Sequence, residues 1–311
     1  MTEQLGHYNL LEQVGNGGLG PAFRARDTVA GRTVLVKNAT ERVGPDSATR
    51  ARFLKDAHAA ATVSHPNVAT LFEVGDTPDQ LFLVFEFVSG ETLDQAYEGA
   101  LDVRRALDLG IQLAEALGAA HAQGVLHLDV RPANIMVTIR GHAKLLDTGL
   151  SRWTTGSLAP ASGEGGPSPG DRAAGDRVAE YRSPEQRRGE SADHRSDLYS
   201  LGVVLFEILT GRVPGDGALS NPGSGPSRAA SMRPGAVNAA VPDERDAIVE
   251  RALAGRVEDR YQSAVPLAAE LRSVAAILAV RSGDREPPSL VPRRRVQAKR
   301  GRFSRWFRLS S

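Results

Sequence analysis

The chain contains no cysteine. That excludes disulfides, thiolate metal sites and thiol nucleophiles, and it suits a reducing compartment. Long apolar runs are missing too. The most apolar stretches lie near Leu201–Leu209 and Val274–Val280, far short of the ~20 residues a membrane-crossing helix needs. Met1 to Leu10 has no basic-then-apolar leader pattern. These absences predict a cytoplasmic protein. No internal repeat is found. Net charge is also nearly absent, at +1, but the balance hides an asymmetry. From Arg281 to Ser311 there are ten Arg/Lys against Asp284 and Glu286, a net of +8. The rest of the chain is therefore slightly acidic, and the basic end reads as a tail.

With 311 residues, 41% hydrophobic and 24% charged, the chain has room for two lobes and an ordinary globular core. Its first part reads as strands. Tyr8–Gly15, Ala22–Arg26 and Arg32–Lys37 are short and apolar-rich, separated by turn-like glycine segments. Residues 48–63 have helical composition and stop before His65-Pro66-Asn67. Leu71–Val74 and Leu81–Val88 read as strands, and Arg104–Gln123 as a long helix with Ile111, Leu113, Ala114 and Leu117 on related faces. Ile135–Thr138 and Ala143–Leu146 flank a turn. Ser196–Thr210, Asp243–Ala254 and Ser263–Ala279 read as helices. Gly156–Gly175 and Gly215–Gly235, rich in Gly, Pro, Ser and Ala, read as loops.

Four short motifs stand in order along this framework. Gly15, Gly17 and Gly20 form G-x-G-x-x-G, with Asn16 and Gly18 between them. Glycines let backbone N–H groups approach a phosphate with no side chain in the way. A dinucleotide site would need a helix after the glycines; here Ala22-Phe23-Arg24-Ala25-Arg26 reads as a strand. Next comes Val34-Leu35-Val36-Lys37, an apolar strand ending in an ammonium that needs a partner. His127-Leu128-Asp129-Val130-Arg131-Pro132-Ala133-Asn134 and Asp147-Thr148-Gly149 follow.

Together, in this order, these motifs resemble the protein-kinase signature set. The surrounding text, including Ala25-Arg26-Asp27, Ser64-His65-Pro66-Asn67-Val68 and Ser196-Asp197-Leu198-Tyr199-Ser200-Leu201-Gly202, is similar to that of bacterial Ser/Thr protein kinases of eukaryotic type. The resemblance runs from residue 8 to about residue 280. It implies an α+β, two-lobed fold: a small β-rich N-lobe (1–88), a larger helical C-lobe (89–280) and a basic Pro/Arg-rich tail (281–311). It implies ATP and Mg²⁺ as cofactors and a protein hydroxyl as phosphate acceptor. Asp129 takes the role of proton acceptor, Lys37 that of phosphate contact, and Arg131 that of the cation near the γ-phosphate. Asn134 and Asp147 become the metal ligands. Gly15, Asn16, Gly17, Gly18 and Gly20 cradle phosphate. Ala22 and Leu35 roof the adenine and Met136 floors it. Phe85 is the gatekeeper, and Glu86 to Val88 form the hinge. Glu185 of Tyr181-Arg182-Ser183-Pro184-Glu185 is expected to pair with Arg260, and Asp197 to prop the catalytic loop.

Four departures from the family pattern leave two functions open. Asp56 stands where the family has the helix Glu that pairs with Lys37; it is one methylene shorter, so the pair needs a closer helix or a water. Leu128 replaces the Arg that meets a phosphate on the activation loop, which implies weak control by loop phosphorylation. Thr148 replaces the Phe of D-F-G, and Val178 a Thr that helps position the catalytic Asp. One reading is an active Ser/Thr kinase. The alternative is a pseudokinase, a nucleotide-binding or interaction scaffold with little transfer.

In the tail, basic residues surround Phe303, Trp306 and Phe307, which share a face at helical spacing. An anionic membrane surface is one expected partner. Phosphate-rich nucleic acid is a second option and a disordered, solvated tail is the third reading; no specific nucleic acid is expected. The protein substrate is unknown, and a homodimer is compatible with the sequence.

Overall fold

A computed structural model describes residues 4–154, 178–214, 233–239, 241 and 243–281. The basic tail, the Gly156–Gly175 loop and most of Gly215–Gly235 lie outside the described residues. The last residues of that second stretch form a short 3-10 turn, Pro234–Ala236, where a loop was expected. Pro234, with its fixed φ, starts it.

The N-lobe is a six-stranded antiparallel sheet in the order β1-β2-β3-β4-β6-β5. Its strands are β1 (Gln4–Leu5), β2 (Tyr8–Gly17), β3 (Gly20–Asp27), β4 (Arg32–Asn38), β5 (Leu71–Asp76) and β6 (Leu81–Glu86). Alternation sets the faces of the inner strands: Val34 and Val36 on β4 are fully buried, while Leu35 and Lys37 face the other side. Two register shifts in β2, at Leu10/Glu12 and Gln13/Gly15, bend the strand that ends in the glycine loop. Helix α1 (Thr40–Val43) and the longer α2 (Ser47–Ala61) cross this lobe. Asp46 caps α2, its carboxylate accepting from the Thr49 N–H at 2.7 Å.

A three-stranded sheet of β7 (Gly90–Thr92), β8 (Ile135–Thr138) and β9 (Ala143–Leu145) opens the C-lobe. The lobe then continues through α3 (Leu93–Ala96), α4 (Val103–Ala122), α5 (Ser151–Thr154), α6 (Pro184–Arg187), α7 (His194–Thr210), α8 (Asp243–Ala252) and α9 (Ala264–Arg281). Helix α7 is buried nearly all round, from Ser196 to Phe206 without a break, as expected of the axis of a helical lobe. Helix α4 packs on it with an apolar stripe that includes Leu109, Leu113, Ala116 and Leu117. Among the described residues no helix is long and apolar enough to cross a membrane.

The long elements match the sequence reading to within one or two residues at most ends. Helices α1, α3, α5 and α6 and strands β1 and β7 are additional. Each is two to four residues long, too short to show a period.

Candidate active site

The catalytic loop is built downward from a buried carboxylate. Asp197, at the start of α7, is fully buried. Its Oδ2 accepts from the His127 N–H at 2.9 Å, and its Oδ1 accepts from the Leu128 N–H at 2.6 Å. His121 Nε2 lies 2.8 Å from the same Oδ2. These bonds hold Leu128 at φ 59°, a left-handed conformation that a branched side chain adopts at a cost. The Leu128 carbonyl accepts from Gln186 Nε2 at 3.0 Å. Gln186 also accepts from the Ser183 N–H, closing the capping box of α6. Both backbone groups of Leu128 are thus fixed, and the next residue is Asp129.

Asp129 is 8% exposed. Its Oδ1 accepts from Arg131 Nε at 3.1 Å, and its Oδ2 from Asn134 Nδ2 at 2.6 Å. The same Asn134 nitrogen reaches the Asp129 carbonyl at 2.8 Å. With its nitrogen committed, Asn134 has its Oδ1 left to offer a cation. The Asn134 carbonyl accepts from the Leu146 N–H, bringing the Asp147 turn alongside the loop. Asp147 sits at φ 54°, a region Asp tolerates better than most residues.

Across the cleft, Lys37 Nζ contacts both Asp147 oxygens, at 2.6 and 2.7 Å. The two side chains are 12% and 16% exposed. The expected Lys37–Asp56 pair does not form. Asp56 on α2 instead accepts from Trp153 Nε1 at 2.9 Å, and Arg152 stands 3.6 Å away. Lys37 pairs instead with the acid of the Asp147 turn, and α5 packs on α2 through Trp153, which shares an apolar cluster with Phe53 and Ala57.

Around the nucleotide side, Ala22 pairs with Lys37 in register and Leu35 with Phe85. Met136 on β8 is paired with Thr92 and Lys144. The Glu86 N–H donates to the Thr70 carbonyl at 2.8 Å, and its carboxylate accepts from Lys144 Nζ at 2.8 Å. Val88 follows, partly exposed, just beyond β6. Gly15, Asn16 and Gly17 are exposed, and a Cβ at Gly15 or Gly17 would meet open space. Gly20 has φ 104° and lies against the Asn38 carbonyl, where a Cβ cannot fit. Gly18 is backed by the Thr154 backbone.

The expected Glu185–Arg260 pair is present. Arg260 Nη1 and Nη2 meet the two carboxylate oxygens at 2.7 and 2.8 Å, and Ser196 Oγ donates a third bond at 2.6 Å. Burial pushes the Glu185 carboxyl up, but the Arg260 and Ser196 hydrogen bonds outweigh it and hold the group at about 2. Thr148 and His127 are less well provided for. Both are buried, and neither Thr148 Oγ1 nor His127 Nε2 finds a hydrogen-bond partner among the described residues. Val178 is partly buried at the edge of the described segment.

The donor set fits a hard cation. One carboxylate and one amide oxygen, converging from Asp147 and Asn134, are what Mg²⁺ takes from a protein when phosphates supply other oxygens. Among the described residues no group of three or more His, Cys, Asp or Glu side chains forms a dedicated all-protein metal cage.

The sequence reading missed Trp153, Leu19 and Gln186. Leu150 and Trp153, three apart directly after the Asp147 turn, were the available signal for Trp153, since the chain has only two tryptophans.

The protein kinase domain profile matches residues 8–225. A probable serine/threonine-protein kinase of Streptomyces coelicolor is 35% identical over 267 residues, covering 83% of this chain and 38% of that protein. The serine/threonine-protein kinase PknB of Mycobacterium tuberculosis is 35% identical over 289 residues, covering 90% and 44%. The chain thus spans less than half the length of these two relatives. The crystal structure of the PknI kinase domain of Mycobacterium tuberculosis superposes with a TM-score of 0.66 at 23% identity, covering 88% of this chain and 98% of that one; at that identity the likeness concerns the fold. From its lobes, its catalytic loop and these relatives, the chain belongs to the protein kinase family, among the bacterial serine/threonine protein kinases.

Proposed function

We propose that the chain transfers the γ-phosphoryl group of Mg·ATP to a serine or threonine hydroxyl of a protein. The observation that carries this reading is the convergence of Asp129, Asn134, Asp147 and Lys37 on one cleft, with Asn134 bonded to Asp129 and Lys37 to Asp147. Phosphoryl transfer needs little covalent chemistry from a protein. It needs positioning and stabilisation of charge.

Asp129 accepts the proton of the attacking hydroxyl as the oxygen bonds to the γ-phosphorus and the bond from that phosphorus to the bridging oxygen of ADP breaks, ADP leaving. Its carboxylate is aimed by Arg131 on one oxygen and Asn134 on the other. Arg131 adds a positive charge beside the reacting group, with a planar fork where Lys would offer a point charge. Lys37 holds α- and β-phosphate oxygens once it leaves Asp147. The glycine loop gives backbone N–H groups to the phosphates, and Ala22, Leu35 and Met136 enclose the base beside the Phe85 gatekeeper. Mg²⁺, held by Asp147 and Asn134, neutralises charge on the phosphates when bound.

A second reading, a nucleotide-binding scaffold without useful transfer, draws on the absence of the Lys37–Asp56 pair. Transfer of labelled γ-phosphate from Mg·ATP, to the protein itself and to a generic basic protein, separates the two. We expect label with the unsubstituted chain and none above background with Asp129→Asn or Asp147→Asn. Metal-dependent nucleotide binding without transfer, in folded protein, favours the scaffold.

A further inference from the structure

We propose that a groove between α4 and the turn joining β8 to β9 docks an extended acidic segment of a partner protein, with an aliphatic side chain set against Ile139 and a carboxylate against Arg140. The groove has a volume of about 680 Å³. None of the residues assigned above to phosphate, adenine or metal lines it. The proposal does not depend on phosphate transfer.

Four separate segments build the groove. Pro66 and Asn67 come from the turn before β5, Ser89 from the residues just before β7, Asp108 and Gln112 from α4, and Ile139 and Arg140 from the β8–β9 turn. Hydrogen bonds fix their spacing. Gln112 Oε1 accepts from Asn67 Nδ2 at 2.9 Å and from the Ala143 N–H at 2.8 Å. The same Asn67 nitrogen reaches the Ala143 carbonyl at 2.7 Å. The turn is closed on itself, the Gly141 N–H donating to the Thr138 carbonyl at 2.7 Å. Arg105 Nη2 of α4 donates to the Gly141 carbonyl, and the Ile139 N–H donates to the Ser89 carbonyl at 3.3 Å. A groove held in this way exists before anything binds, so association does not have to order it.

The charges that line the groove are cancelled from within, except one. Asp108 is taken by Arg105 Nη1 at 2.8 Å, and Lys144 by Glu86 at 2.8 Å. Arg140 is exposed and makes no ion pair among the described residues. Gln112 Nε2 and Ser89 Oγ also donate to nothing among the described residues. A guanidinium, an amide nitrogen and a hydroxyl are therefore left with donors to spare, and what the groove lacks is a negatively charged acceptor. Ile139 supplies the apolar half. It is 74% exposed in a turn, where glycine and short polar residues are usual. One exposed aliphatic side chain is ordinary, but this one borders a preformed groove, and an aliphatic group laid on it removes apolar surface from water on both partners. The chain's own tail has the wrong sign, since its net +8 brings like charge to Arg140. A single free cation is also too little for a nucleic-acid backbone, which is held by several. An acidic segment with an aliphatic residue meets both needs.

The test is an array of short capped peptides, each carrying one leucine flanked by glutamate, by lysine or by glutamine, probed with the full chain and no nucleotide. The peptides have no side-chain hydroxyl, so a failure of phosphate transfer leaves the result readable. Retention on the glutamate-flanked peptides is expected, weakening as salt is added. The best of them is then titrated by fluorescence polarisation. Arg140→Glu is expected to weaken its binding about tenfold or more by reversing the free charge. Ile139→Asp is expected to do the same by removing the apolar contact and adding like charge. Both residues are exposed, and an unchanged melting temperature shows that each variant folds. Absence of retention on the glutamate-flanked peptides overturns the proposal. So does retention on the lysine-flanked ones, which would make a basic segment the occupant. Binding that survives both substitutions puts the acidic peptide elsewhere on the molecule and overturns it as well. Dimerisation of the full chain that Ile139→Asp abolishes gives the groove to a second copy, again against the proposal.

Discussion

Thr148 concentrates the chemistry of one substitution. The family residue at this place is an apolar ring, and here a hydroxyl is buried at 5% exposure without a partner among the described residues. A buried polar group left unbonded costs about 1–3 kcal/mol. Valine has nearly the shape of threonine and no hydroxyl. Thr148→Val is therefore expected to raise stability by about 1 kcal/mol, read as a higher denaturant midpoint with unchanged slope. A lower midpoint would mean the hydroxyl does have a partner in solution. Leu128 makes the complementary point. Its side chain cannot hold a phosphate, yet its backbone is held as firmly as function requires, by Asp197 on the N–H and Gln186 on the carbonyl. The position keeps its conformational role and loses its charged one.

At the level of elements, α6 is anchored to the C-lobe by Glu185 and Arg260, both buried. The carboxyl is held near 2, below its ordinary value of 4.5. A depressed carboxyl contributes stability that is complete above the unfolded value and is lost as pH falls through the folded one. Acid is therefore expected to weaken the protein between about pH 4.5 and 2. Glu185→Gln should flatten that dependence and destabilise the neutral protein by about 3–5 kcal/mol, the cost of stranding a buried charge; urea titrations across this pH range measure both. This pair was legible in the sequence because each partner sits in its own recognisable motif. So were the long strands and helices, where hydrophobic period and turn residues agree. The partner of Asp56 was not legible. Trp153 lies 97 positions away, on a four-residue helix too short to have a period. Which acid Lys37 takes depends on where that helix packs, a tertiary fact that no local pattern encodes.

For the whole molecule, the question is what couples the activation segment to the catalytic loop when Leu128 replaces the phosphate-binding arginine. One link remains at the far end of the segment, where Gln186 Nε2 donates to the Leu128 carbonyl at 3.0 Å. It requires no phosphate. The near end carries α5, whose hold on the N-lobe comes from Trp153 burial and the bonds to Asp56 and Arg42. Neither end uses a basic pocket at residue 128, so dephosphorylation removes nothing that the described segment leans on. Phosphatase treatment is accordingly expected to change the rate of phosphate transfer by well under tenfold. A loss of tenfold or more, about 1.4 kcal/mol in the barrier, would mean that a phosphate on the segment is held by some other cation. Control would then pass through charge recruited to the segment, and the apolar grip of the N-lobe on Trp153 would be secondary to it.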